Sequence, residues 1–92
     1  MIESFGDKQT EKLWNGQRTR FPSVLIQRAI DKLNLLSSAN HLEDLRISPS
    51  NRLEALKGGR AGQHSIRIND QWRLCFRWAA GNACEVEITD YH

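Results

Sequence analysis

The amino-acid sequence predicts an α+β fold in which helices near the N-terminus pack on one face of a central antiparallel sheet of three or four strands. Three observations favour this fold. Apolar residues recur with a helical period before residue 40 and with a period of two after residue 60, and turn-forming segments at 48–51 and 57–62 separate the two regions. A chain of 92 residues that is 39% apolar is expected to form one domain, residues 1–92.

Two helices are predicted in the first 40 residues. Asp7 is suited to cap a short helix that ends at Gly16, and Pro22 stands where the first turn of a longer helix tolerates proline. In the longer helix five apolar residues form one stripe: Ile26, Ala29, Ile30, Leu33 and Leu36. A helix with a single apolar face is expected to pack by that face onto a sheet. Before the helices, Met1–Phe5 is expected to form a short strand.

Three segments of alternating residues predict the strands. They read HSIRIN (64–69), WRLCFRW (72–78) and ACEVEITDYH (83–92), each with apolar side chains on one side. This alternation assigns four aromatic or imidazole side chains to the packed side of the sheet: His64, Trp72, Phe76 and Trp78. We therefore interpret these four residues as core residues.

The alternation also predicts the register of the last hairpin. A loop of three residues, 80–82, pairs Trp78 with Cys84 and Leu74 with Ile88, which keeps every large apolar side chain on one face. A loop of two or four residues turns the two glutamates of the last strand towards that face, where their burial is unfavourable. The three-residue loop is therefore predicted.

Cellular location is indicated by cysteine usage and by the absence of targeting features. Cys75 and Cys84 fall on opposite faces in the predicted register and match no metal-ligand spacing, so we expect reduced thiols. No apolar run reaches the roughly 18 residues that a membrane span needs, and the N-terminus lacks the features of a secretion signal. We expect a cytoplasmic protein.

Positive charge is concentrated in one region, although the net charge is only +2. Residues 46–80 contain seven basic and two acidic side chains, and six of the seven are arginines, whose planar fork suits phosphate oxygens. Five of these residues flank the glycine-rich segment or point away from the packed face of the sheet: Lys57, Arg60, Arg67, Arg73 and Arg77. A solvated face neutralised in part by Glu85 and Glu87, a surface for a polyanion and a surface for an acidic protein all remain open.

The segments NRLEALKGGRAGQHSIRINDQWRLCFRW (51–78) and VEITDYH (86–92) resemble the HigB toxins of bacterial toxin–antitoxin modules, within the RelE/ParE superfamily. The resemblance covers nearly the whole chain, including the N-terminal MIESF. It implies a compact RelE-like α+β fold and ribosome-dependent cleavage of messenger RNA in the ribosomal A site. It also implies neutralisation by a cognate HigA antitoxin that carries a helix-turn-helix.

The resemblance further implies that six positions are functional: Lys57, Arg67, Arg73, Asp90, Tyr91 and His92. Arg60 and Arg77 are expected to add contacts to RNA phosphates. One position departs from the family pattern, because some relatives carry a histidine where this chain has Glu54. Glu54 either replaces that histidine as the base or leaves proton transfer to Asp90 and His92.

Metal-independent cleavage of RNA needs residue types that this chain contains. The 2′-hydroxyl of the RNA attacks the adjacent phosphorus, a base accepts its proton, an acid protonates the leaving 5′-oxygen and cations stabilise the phosphorane. His92 suits either proton transfer, Asp90 can accept a proton or orient a neighbour, and Tyr91 suits stacking on a base. We therefore expect a site at the end of the last strand, with no metal and no cofactor.

Two functions of other classes remain open. The chain could poison a protein target such as DNA gyrase, as the ParE branch of the superfamily does, and such relatives are not expected to need a terminal Asp-Tyr-His. It could also be an RNA- or antitoxin-binding module without catalysis. Newly formed messenger RNA ends in cells that express the protein distinguish these functions from an endoribonuclease.

Overall fold

The structure, a computed structural model, describes residues 1–90 and confirms the predicted α+β fold. In that range the helices are α1 (Lys8–Trp14) and α2 (Ser23–Ser38), and the strands are β1 (Glu54–Ala55), β2 (His64–Arg67), β3 (Trp72–Ala79) and β4 (Asn82–Asp90). Short 3₁₀ turns occur at Leu42–Arg46, Pro49–Asn51 and Gly58–Arg60. The strands form one antiparallel sheet in the order β1-β2-β3-β4, and both helices pack against it. None of the helices in residues 1–90 is long and apolar enough to cross a membrane.

The predicted helices are present, with a small rotation of the apolar stripe of α2. Asp7 caps α1 by accepting a hydrogen bond from the Thr10 N–H, and α2 begins directly after Pro22. The residues of α2 that are buried in the core are Leu25, Ala29, Leu33 and Leu36. Ile26 and Ile30, which the sequence placed on the same stripe, are only partly buried beside it.

The aromatic side chains of the sheet lie on its packed side, as predicted. Phe76 is fully buried, and Trp72 and Trp78 pack against the core. His64 stacks on Phe76 with ring centroids 6.3 Å apart. Phe21 adds an edge-to-face contact with Trp72, with centroids 5.9 Å apart.

The predicted three-residue loop between β3 and β4 is wrong. The turn has two residues, 80–81, with positive φ angles of 53° and 79°, and Trp78 pairs with Ala83 instead of Cys84. Cys84 pairs with Arg77, so it lies on the same face of the sheet as Cys75 and not on the opposite face, as the predicted register implied. Two positive φ angles define a type I′ turn, whose twist matches that of the strands it connects. A two-residue turn alone would direct the wrong side chains towards the core, so the register must shift further along the hairpin.

A β-bulge provides that shift. Glu85 and Val86 together lie opposite Phe76, and Glu85 adopts a left-handed conformation with φ of 52°. Beyond the bulge Leu74 pairs with Ile88, as predicted. The extra residue therefore restores the apolar face that a two-residue turn would otherwise have removed.

The N-terminal segment supports the bulge from the outer edge of β4. Two isolated parallel bridges join residues 2–5 to β4, so the predicted strand is present only as these bridges. The Ser4 hydroxyl accepts a hydrogen bond from the Glu85 N–H at 2.8 Å, and the Ser4 carbonyl accepts one from the Val86 N–H at 3.0 Å. The bulge therefore leaves neither of these N–H groups unpaired.

A buried threonine forms a further hydrogen bond to the outer edge of β4, closer to the end of the strand. Thr10 of α1 is fully buried, and its hydroxyl accepts a hydrogen bond from the Ile88 N–H at 3.0 Å. The interaction joins α1 to β4 two residues before Asp90. An edge strand whose N–H groups are already bonded is a poor template for pairing with another chain.

We expect Thr10→Val to lower the free energy of unfolding by about 1–3 kcal/mol, because it keeps the side-chain shape and leaves the buried Ile88 N–H without an acceptor. Urea denaturation measures the change. Thr10→Ser, which retains the hydroxyl, is the matched control and should lose less stability than the valine variant. Equal stability of Thr10→Val and the wild type would contradict this role of the hydroxyl.

Candidate active site

Two arginines meet at one end of the sheet. Arg67 ends β2, Arg73 lies near the start of β3, and the two residues are direct partners in the antiparallel ladder. Like charges in this arrangement repel each other. Each guanidinium has a carboxylate partner, since Arg67 pairs with Asp70 and Arg73 pairs with Glu54.

The Arg73 side chain is largely buried and makes several hydrogen bonds that the sequence does not predict. Its side chain is only 13% exposed, and its Nε atom donates to the Ser65 hydroxyl at 2.7 Å. Its Nη2 atom donates to the carbonyl oxygens of Arg52 at 2.6 Å and of Ser65 at 3.3 Å. A single side chain therefore ties the segment before β1 to β2 and β3.

Glu54 lies beside this arginine in β1. Its Oε1 atom is 3.6 Å from Nε of Arg73, and its side chain is 54% exposed. Glu54 pairs in the ladder with Ser65, so it lies on the same side of the sheet as Arg73. The structure thus brings Glu54, Arg67 and Arg73 together.

Asp90 lies at the same end of the sheet but on the other side. It is opposite Trp72 in the ladder, and alternation directs it to the face that carries Leu74. Its Oδ2 atom accepts a hydrogen bond from Nε2 of Gln71 at 3.1 Å. Asp90 is therefore at the rim of the sheet, one position beyond Thr89, the ladder partner of Arg73.

The remaining basic candidates lie towards the opposite end of the strands. Arg60 bonds to Glu87 at 2.9 Å, and Arg77 bonds to Glu85 at 2.7 Å. Lys57 follows β1 in the direction of the start of β2, away from Arg67. The described residues therefore form two groups along the sheet, and they do not place Lys57 next to Asp90.

The backbone conformation explains one glycine of the glycine-rich segment. Gly62 has a φ of 93°, in the left-handed region that favours glycine. A Cβ atom added there would lie 2.7 Å from Nη1 of Arg77, so a larger residue would also require the flexible end of that arginine to move.

Carboxylates pair with the arginines of the sheet. The sequence left open whether this face is neutralised internally or binds a polyanion or an acidic protein, and these ion pairs bear on that question. Arg60, Arg67, Arg73 and Arg77 each have an acidic partner. Within residues 1–90 Lys57 makes no ion pair. The structure therefore supports substantial internal neutralisation of the sheet by its own carboxylates.

Cysteine and metal chemistry have little support in the described part of the chain. Cys75 is fully buried, and partial burial together with the nearby Glu3 carboxylate raises the pKa of the Cys84 thiol, which disfavours a nucleophilic thiolate. Residues 1–90 contain no group of three His, Cys, Asp or Glu side chains placed to hold a metal ion. Two predicted site residues, Tyr91 and His92, lie outside the described residues.

The sequence did not reveal which residues position the predicted site residues Arg73 and Asp90. Ser65 and the Arg52 carbonyl fix Arg73, and Gln71 bonds to Asp90. Ser65 was visible in the sequence as a small polar residue between His64 and Ile66, but that pattern gave no indication of its partner. Such contacts depend on the register between strands that are distant in sequence.

Comparison with known proteins identifies the family. The family described as "RelE-like toxin of type II toxin-antitoxin system HigB" matches residues 3–92. This chain belongs to the HigB-like toxins. The resemblance seen in the sequence is thus confirmed over almost its full length.

Two curated relatives are similar over nearly all of this HigB-like toxin. It is 39% identical over 90 residues to "Toxin HigB-1" of Vibrio cholerae, an alignment that covers 96% of this chain and 95% of the relative. It is 31% identical over 93 residues to "Endoribonuclease HigB" of Proteus vulgaris, which covers 100% of both chains.

Solved structures support the RelE-like fold. YafQ from E. coli strain BL21(DE3) superposes with a TM-score of 0.63 at 12% identity, covering 98% of this chain and 93% of that one. A chain of the YoeB–YefM complex from Staphylococcus aureus superposes with a TM-score of 0.62 at 15% identity, covering 100% and 98% respectively. At these identities the likeness concerns the fold alone.

We expect Arg73→Lys to lower the free energy of unfolding by about 1–3 kcal/mol, because one ammonium group cannot reproduce the fork that bonds to Ser65 and Arg52. Urea denaturation tests this expectation. Arg46→Lys, at an exposed ion pair with Glu43, is the matched control and should change stability by less than about 0.5 kcal/mol. If both substitutions change the free energy of unfolding equally, the hydrogen bonds of Arg73 contribute no more to stability than an exposed ion pair does.

Proposed function

We propose that this HigB-like toxin is an endoribonuclease that cleaves messenger RNA on the ribosome. The observation that carries the proposal is the pairing of Arg67 with Arg73 at the end of the sheet where Asp90 ends β4. Two guanidinium groups on adjacent strands suit a phosphate that gains charge during reaction. The relative from Proteus vulgaris that bears the name Endoribonuclease HigB supports the same activity.

The proposed reaction needs no metal. The 2′-hydroxyl of the RNA attacks the adjacent phosphorus, and the bond to the 5′-oxygen of the next nucleotide breaks. Arg67 and Arg73 stabilise the charge of the phosphorane. Lys57, which makes no ion pair within residues 1–90, is proposed as a further catalytic cation on the strength of the family resemblance, although its backbone follows β1 in the direction away from Arg67. Arg60 and Arg77, further along the sheet, contact the backbone of the RNA.

Proton transfer is proposed for residues on both sides of the sheet end. Glu54 is a candidate base because its exposed carboxylate lies beside Arg73, where the phosphate would bind. Asp90 and His92 form the alternative, in which the imidazole transfers the proton and the carboxylate orients it. Tyr91 is proposed to stack on a base of the RNA.

The proposed partners follow from the same activity. A HigA-like antitoxin with a helix-turn-helix neutralises the toxin, and the ribosome presents the message in its A site. We propose that residues 1–92 form one toxin domain that acts in the cytoplasm. Neither a small-molecule cofactor nor a membrane is proposed as a partner. The small size of the chain leaves little surface for gripping RNA alone, which favours a substrate that the ribosome holds in place.

We expect His92→Ala and Asp90→Asn each to abolish new messenger RNA ends in cells that express the protein, because the first removes the imidazole proposed to transfer a proton and the second removes the carboxylate proposed to orient it. A loss of about 10²-fold or more is the size expected for a general acid or base. Sequencing of RNA 5′ ends after induction is the measurement. His41→Ala and Glu43→Gln, which change a histidine and a carboxylate outside the candidate site, should cleave like the wild type.

Other outcomes point to the competing functions. Wild-type cleavage by both site variants would remove Asp90 and His92 from the mechanism. DNA breaks or gyrase inhibition without new RNA ends would favour a ParE-like poison. Binding of ribosomes or antitoxin with neither effect would favour a binding module. Thermal unfolding of each variant checks that the fold is intact.

A further inference from the structure

A second group of basic residues lines a cleft between α2 and the end of β2. The cleft has a volume of about 510 Å³, and its walls include Arg28, Lys32 and Leu35 from α2 together with Ser50 and Arg67. This volume is within the range of roughly 300–1,000 Å³ that is usual for ligand sites. Because Arg67 also belongs to the candidate active site, the cleft borders that site directly.

The helical wall of the cleft is a continuous strip of α2. Arg28, Asp31, Lys32 and Leu35 occur at positions i, i+3, i+4 and i+7, so they lie on one face of the helix. The residues of α2 that are buried in the core lie on a different face. The spacing therefore presents two cations to the same cleft without any contribution to the core.

The positive charge in the cleft is poorly compensated. Neither Arg28 nor Lys32 makes an ion pair with any residue from 1 to 90, and Lys32 donates instead to the neutral Asn51 side chain. Burial, and then the nearby Arg28 and Arg67, lowers the pKa of Lys32, with Asp31 acting in the opposite direction. An anion in the cleft would relieve this mutual repulsion.

The polar groups of the cleft distinguish between two kinds of anionic partner. Asp31 lines the cleft beside the cations, and Asp70, whose side chain is 99% exposed, pairs with Arg67 at its edge. An acidic peptide and RNA would both bring negative charge close to these two carboxylates. RNA also carries ribose hydroxyls that can donate to a carboxylate, and the cleft continues from Arg67 of the candidate active site, so RNA suits the mixed lining better.

We infer that Arg28, Lys32 and Ser50, which line the cleft next to Arg67, bind a backbone phosphate of RNA other than the phosphate that is cleaved. The inference rests on the proposed function, since it extends the RNA path from Arg67 onto α2. The phosphate belongs either to the message or to ribosomal RNA, because both present the same chemistry. Arg28 and Lys32 contribute to affinity and not to the bond-breaking step.

The test compares two double variants that remove the same charge. Arg28→Gln with Lys32→Gln changes the cleft, and Lys12→Gln with Arg18→Gln changes two basic residues outside its lining. Binding to a single-stranded RNA oligonucleotide is measured by fluorescence anisotropy across a salt series, with the RNA checked to be intact. Binding to ribosomes without message is measured in parallel.

We expect the cleft variant to bind one of these two probes at least roughly tenfold more weakly than the control variant, because hydrogen bonds to a charged phosphate are removed. If the oligonucleotide is the probe affected, the slope of log affinity against log salt should fall in magnitude by about 0.7, the change for one phosphate that the variant no longer neutralises. Weaker binding to the oligonucleotide assigns the phosphate to the message. Weaker binding to ribosomes alone assigns it to ribosomal RNA.

Equal binding of the cleft and control variants to both probes would overturn the inference. Loss of antitoxin binding with unchanged binding of RNA and ribosomes would also overturn it, and would assign the cleft to a protein partner. Arg28→Gln alone, at an exposed position, gives the same comparison if the double variant is unstable. This test is independent of the test of the proposed catalytic function. If the Asp90 and His92 variants cleave RNA like the wild type, the catalytic proposal fails, but the comparison of RNA binding by the cleft and control variants is unaffected.

Discussion

The hydrogen bonds of Arg73 are the constraint on which the arrangement of the candidate site depends. Its guanidinium lies across Ser65 and reaches the Arg52 carbonyl, so it fixes the chain that leads into β1 and Glu54. Without these bonds a strand of two residues at the sheet edge would have few interactions to hold it. A residue proposed to stabilise phosphate charge therefore also places the candidate base, and part of any loss of activity on its removal is structural.

The other half of the site depends on how the edge of β4 is held. The turn at 80–81 and the bulge at Glu85 set the register, the N-terminal segment bonds to the bulge, and Thr10 bonds to Ile88. These contacts join the first ten residues of the chain to its last strand. They bring β4 to the sheet end where Arg67 and Arg73 lie, and so place Asp90 at that end.

The sequence was sufficient for the features that repeat and insufficient for those that depend on a single residue. The period of two in β3 and β4 predicted the buried face of Leu74 and Phe76, because burial acts on every second residue. The same reasoning gave the wrong turn, because one extra residue at Glu85 allows a shorter loop with the same apolar face. No residue pattern distinguishes these two solutions.

The candidate site was predictable to a similar extent. Motif resemblance selected Arg67, Arg73 and Asp90, and the structure places all three at one end of the sheet. The sequence left open that Glu85 and Glu87 neutralise part of the sheet, and they pair with Arg77 and Arg60. It did not indicate the pairing of Arg73 with Glu54, because these residues are 19 positions apart and meet only through the sheet register. The cleft at Arg28 and Lys32 was also missed, because an exposed basic pair on a helix is common and becomes distinctive only beside Arg67.

The most direct test of the central claim, that the RNA supplies its own nucleophile at this site, uses a message with a single 2′-deoxynucleotide. The deoxynucleotide is placed 5′ to a mapped cleavage position, and cleavage is followed in a reconstituted translation system and on the same message without ribosomes. We expect cleavage of the all-RNA message on ribosomes only, with a 5′-hydroxyl on the downstream product, and no cleavage at the deoxy position. Unchanged cleavage at the deoxy position would contradict attack by the 2′-hydroxyl, and efficient cleavage without ribosomes would contradict dependence on them.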